Sequence, residues 1–144
     1  MGLKRTRTSK RRTLGMAMVE MVFVLPVLIL LVFAIAEFGL MFSRWLTLSN
    51  AVREGARAGV AFRGTKDECK AASPSVAKQV QTRVANYAQA GGIPLNPSDV
   101  NVQNTCEGPD NDLIVDASYL FKLNIPFASL NNVNLSYKST MRNE

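Results

Sequence analysis

The sequence predicts an α+β protein. A long N-terminal transmembrane helix continues into a small external domain with a second helix and an antiparallel β-sheet. Three observations carry this reading. Met21 to Ala36 is an uninterrupted apolar run with no charged side chain, and with Met16 to Glu20 before it the segment is long enough for the ~20 residues that cross a bilayer. No proline stands between Pro26 and Pro74, so nothing strong breaks the helix where the apolar run ends. Beyond Asp99 the apolar period changes from three or four residues to two, the mark of half-buried strands.

Charge sets the topology. The chain has 144 residues and a net charge of +6. Lys4, Arg5, Arg7, Lys10, Arg11 and Arg12 account for all of that excess, and no acid precedes Gly15. The folded body is therefore neutral, which argues against a nucleic-acid partner, whose binder carries its basic patch on the fold. A basic arm beside an apolar segment orients the chain with its N-terminus in the cytoplasm. The expected divisions are 1–15, a basic leader; 16–36, the transmembrane half of the helix; 37–63, its outer half; and 64–144, an external (periplasmic) α+β domain.

Residues 1–15 are too polar to fold alone, so the helix is expected to start near Met16. Pro26 removes one backbone donor and should loosen a turn, which membrane helices tolerate. Glu20 is the one carboxylate at the start of the span, and an acid in that position marks a functional site by default. The helix is expected to run to about Phe62. Ala51, Gly55 and Gly59 form a small-residue stripe at four-residue spacing that admits another backbone closely. Arg63 to Lys66 reads as a turn. A second helix should start at Ser73-Pro74, with Pro74 in its first turn. Val76, Val80, Val84 and Tyr87 would form its apolar face, and Gly91-Gly92 would end it. Val100 and Val102 mark a first strand. Leu113, Val115, Ala117, Tyr119, Phe121, Leu123 and Ile125 share one parity of a second. Val133, Leu135 and Tyr137 mark a third.

Cys69 and Cys106 both fall on the external side, where disulfides persist. Bridging them closes a loop of ~38 residues, worth roughly 4 kcal/mol in the chain-entropy model, which is useful to a small core. Two cysteines and no histidine argue against a structural zinc site, and no histidine stands ready as general base. Asp110, Asp112 and Asp116 read as turn chemistry rather than a calcium loop. No catalytic residue, cofactor-binding motif or metal site is expected, and the protein reads as a non-enzyme.

Gly15-Met16-Ala17-Met18-Val19-Glu20, behind its basic leader, resembles the type IV prepilin processing site. Val19-Glu20, Leu25-Pro26, Glu37-Phe38-Gly39 and Asn50-Ala51-Val52-Arg53-Glu54-Gly55-Ala56-Arg57-Ala58 follow in order. Together they resemble the TadE-like family, the minor pilins or pseudopilins of the tight-adherence (Tad/Flp) pilus system. Met21 departs from Flp-type prepilins, which usually carry an aromatic there, and the chain is far longer than a major pilin. The resemblance implies that a prepilin peptidase cuts between Gly15 and Met16. It implies that Glu20 registers subunits, and that the partners are other Tad pseudopilins, the major Flp pilin and an inner-membrane assembly platform. The physics agrees. Glycine lets the backbone extend into an active site, and the new amine on Met16 offers a neighbouring subunit's Glu20 a counter-charge, without which a buried carboxylate is costly. The implied location is the bacterial inner membrane and the pilus, with a role in assembly, priming or adhesion.

Two other readings compete. An uncut, single-pass scaffold protein would keep its leader. A secreted protein would be cleaved after Ala36, because Ala34-Ile35-Ala36 resembles a signal-peptidase site. The length of the apolar run and the helical pattern beyond Ala36 both argue against the second.

Overall fold

The computed structural model describes residues 9–61, 66–72, 74–103, 105, 112–122 and 132–142, excepting the side chains of 9–14, 66, 70 and 71. The order of elements is α1 (Ser9–Val60), α2 (Lys66–Ala71), α3 (Val76–Ala90), a 3-10 turn (Pro97–Asp99), β1 (Val100–Gln103), β2 (Leu113–Phe121) and β3 (Val133–Met141).

α1 is a single helix of 52 residues that passes through Pro26, about 78 Å long at 1.5 Å per residue. It begins seven residues before the Met16 expected from the sequence. No glycine or proline interrupts Ser9 to Leu14. Lys, Arg and Leu are good helix formers, and extending an existing helix avoids the cost of nucleating one. At its other end the Ala61 N–H donates to the Arg57 carbonyl at 3.1 Å. The expected end at Phe62 and turn at Arg63 to Thr65 lie outside the described residues. Lys66, expected in that turn, instead opens α2, with Asp67 and Glu68 in its first turn, where acids complement the helix dipole.

α3 starts later than expected. Pro74 precedes the N-cap instead of occupying the first turn. Ser75 is the cap, its side chain accepting from the Lys78 N–H at 3.4 Å, a role serine fills well. The buried face is Val76, Val80, Val84, Ala85 and Ala88. Tyr87, expected on that face, is 45% exposed; the small Ala88 takes the inward position, which fits the close approach of α1. Gly92 adopts φ 80°, a conformation open to glycine. The Ile93 N–H then reaches back to the Ala88 carbonyl at 2.9 Å. That turn drives Ile93 and Leu95 into the core, where both are essentially inaccessible.

The sheet is antiparallel in the order β1-β2-β3. Val100 pairs with Ala117, Leu113 with Met141 and Phe121 with Val133. Leu113, Val115, Ala117 and Phe121 point inward, with Leu135 and Ser139 from β3. The expected parity of β2 is observed; Leu123 and Ile125, expected in the same strand, lie beyond its end and outside the described residues. The outer half of α1 and α3 cover the inner face. Gln81 Nε2 ties α3 to β1 through the Val100 carbonyl at 2.9 Å.

Candidate functional site

The functional element is α1, and its two halves present different surfaces. In the outer half Met41, Arg44, Leu48, Ala51, Val52, Gly55, Ala56 and Gly59 recur at three- and four-residue steps and face the domain. Leu48, Ala51, Val52 and Ala56 are fully buried. A methyl group added at Gly55 would collide with Val84 Cγ2. One added at Gly59 would lie 2.6 Å from Leu113 Cδ2 and 3.0 Å from Val80 Cγ2. The small-residue stripe is thus occupied within the chain, by α3 and β2. Farther along, a methyl group on Gly91 would collide with Thr47 of α1.

Polar contacts border this seam. Arg44 Nη1 donates to the Tyr119 hydroxyl at 3.1 Å, and its guanidinium lies 5.2 Å from the Phe121 ring centroid. Arg53 Nε donates to the Tyr137 hydroxyl at 2.8 Å, with its guanidinium 5.3 Å from the same ring. Trp45 stacks on Phe42 at 6.0 Å and meets Tyr137 edge-on at 6.2 Å. Glu54 Oε1 pairs with Arg83 Nη2 at 3.1 Å.

The inner half has no such partners. From Gly15 to Ala36 no residue is buried. Met16, Val22, Phe23, Val27, Leu28 and Ile35 expose more than half their surface on every side of the helix. A helix that is apolar all round belongs in a membrane or a protein core, and one candidate membrane span, Gly15–Val60, is found among the described residues. Gly15, Met16 and Glu20 lie at its start, exposed and helical. One helix therefore carries both the oily half and the docking seam, and residues 15–57 correspond to a known family model, that of TadE-like proteins.

The chain carries a TadE-like segment. No curated protein and no solved structure matches the chain.

The TadE-like segment spans the exposed apolar half of α1 and most of its docking seam. That helix is long and apolar enough to cross a membrane once. The Asn50 to Ala58 motif sits in the seam: Ala51, Gly55 and Ala56 face inward, while Arg53 and Glu54 reach β3 and α3. Elsewhere, Cys69 is buried, with Sγ 3.8 Å from the Thr105 carbonyl oxygen. Cys106 lies outside the described residues, and no cysteine among the described residues is free. Two grooves of about 470 and 290 Å³ flank α3 and share Gln79 and Arg83. Arg83 is their only titratable lining group among the described residues. No group of side chains able to hold a metal occurs among those residues.

Sequence reasoning missed Arg44, Arg53, Tyr119 and Tyr137 as a set. A signal was present: Tyr119 and Tyr137 fall on the inward parity of their strands, and a half-buried phenol needs a hydrogen-bond partner. Arg44 stands four residues before the buried Leu48, on the same helix face.

Proposed function

We propose that this protein is a minor pilin-like subunit of a Tad/Flp-type pilus, cut by a prepilin peptidase after Gly15. The observation that carries the reading is the family match over residues 15–57, which starts at the expected scissile glycine. It falls on a helix whose first half is exposed and apolar. In this reading the leader stays in the cytoplasm, the apolar half of α1 holds the subunit in the inner membrane, and the domain lies in the periplasm with a Cys69–Cys106 bridge. Because the small-residue stripe is filled by α3 and β2, contacts with other pseudopilins and the major pilin fall to the exposed apolar half.

Gly15 lies inside a helix, so the peptidase must unwind a turn to reach the bond. Glycine makes this easier, being about 1 kcal/mol less favourable than alanine in a helix. Cleavage removes the leader cations and creates an amine on Met16. In a bundle of such helices, Glu20 of one subunit then pairs with the amine of the next, so that neither charge is buried alone. Expression with and without the peptidase tests the proposal. The native chain shortens only when the enzyme is present, and Gly15→Leu stays full length. Processing of Gly15→Leu at the native rate, or no shortening of the native chain, contradicts it. An uncut scaffold shows no shift in either case, and a secreted protein starts at Glu37.

A further inference from the structure

α1 belongs both to the membrane segment and to the domain core, so the domain cannot turn independently of the helix. One end of it must face the membrane, and the packing says which. Arg44 meets Tyr119 and Phe121, whereas Gly59 meets Leu113. β2 therefore runs antiparallel to α1. Its Phe121 end, paired with Val133, lies on the membrane side. Leu113 and Met141 stand at the far end, eight residue steps or about 26 Å away.

On the reading above, hydrocarbon ends near Ala36. Arg44 lies eight residues on, about 12 Å along the axis, and the headgroup layer is about 5–8 Å thick. Side chains on a helix lean toward its N-terminus, as Trp45 does in stacking on Phe42, so Arg44 and Trp45 reach back toward the headgroups. A guanidinium has five N–H donors, and Tyr119 takes one from Arg44, leaving others for phosphate oxygens. Lys122, exposed, follows Phe121 at this end. Phe42 and Trp45 are 52% and 36% exposed, and aromatic rings of this kind favour the membrane interface. Glu37 stands on α1 seven residues before Arg44.

We propose that the Phe121–Val133 end of the sheet, with Arg44, Trp45 and Lys122, seats on the phosphate headgroups of the outer leaflet. The inference rests on the membrane reading of α1 and adds a second, lipid-binding surface on the domain.

Trp45 is the sole tryptophan, which supplies the probe. The full chain is placed in vesicles of phosphatidylcholine and phosphatidylglycerol doped with a headgroup nitroxide. In a Trp45→Phe background, exposed Leu120 near the membrane end and exposed Thr140 near the far end are each replaced, as Leu120→Trp and Thr140→Trp. Circular dichroism confirms that each variant is folded. The seated domain predicts about twofold or more stronger quenching for Leu120→Trp than for Thr140→Trp. Adding Lys122→Glu narrows the difference, whereas Arg142→Glu at the far end leaves it. In the native chain, Trp45 is quenched more by the headgroup nitroxide than by one midway along the acyl chain. Equal quenching at Leu120→Trp and Thr140→Trp, in a chain that resists alkaline carbonate, overturns the seating and leaves the membrane helix standing. Extraction of the chain by carbonate overturns both.

Discussion

The two halves of α1 obey different rules although no break separates them. The inner half exposes Val, Leu, Ile and Phe on all sides, so it needs only apolarity, and one aliphatic side chain serves as well as another. The outer half is matched to particular neighbours: Gly55 to Val84, Gly59 to Val80 and Leu113, Arg44 and Arg53 to two phenols. A helix immersed in lipid is specified by composition. A helix inside a close-packed core is specified by shape.

Substitutions sharpen that contrast. The largest effect is expected at the proposed bridge: Cys69→Ser should cost the domain about 4 kcal/mol, read as a lower melting temperature that reductant reproduces in the native protein. Next comes Gly55→Leu. It forces a side chain against Val84 and should cost about 3 kcal/mol by overpacking, whereas Leu28→Ile in the inner half should leave the melt of the domain unchanged. If the two give equal shifts, the contrast between the halves fails. Tyr137→Phe removes the acceptor of Arg53 and should cost about 1 kcal/mol in a denaturant titration. Glu54→Gln breaks an ion pair whose side chains are 36% and 60% exposed, so less than about 0.5 kcal/mol is expected.

Legibility in the sequence followed the same division. The apolar half of α1 and the alternation along β2 could be read directly, because a helix apolar on every side and a half-buried strand each carry their pattern in every residue. Ala51, Gly55 and Gly59 stood out as a small-residue stripe, but its occupant did not, since spacing shows room and not what fills it. That occupant, Val80 and Val84 of α3 with Leu113 of β2, lies far along the chain from the stripe. The burial of Ile93 and Leu95 left no mark for a similar reason: they lie outside any helix or strand, and two apolar side chains flanking a proline carry no period. The Arg–Tyr contacts join residues 75 and 84 positions apart, a separation that no local pattern reports.

The central claim is that this chain becomes functional by losing its basic arm at Gly15. N-terminal sequencing of the protein recovered from the membrane of cells that make the pilus tests it most directly. The account predicts a mature chain beginning at Met16. A chain that still begins at Met1, or one that begins at Glu37, contradicts it.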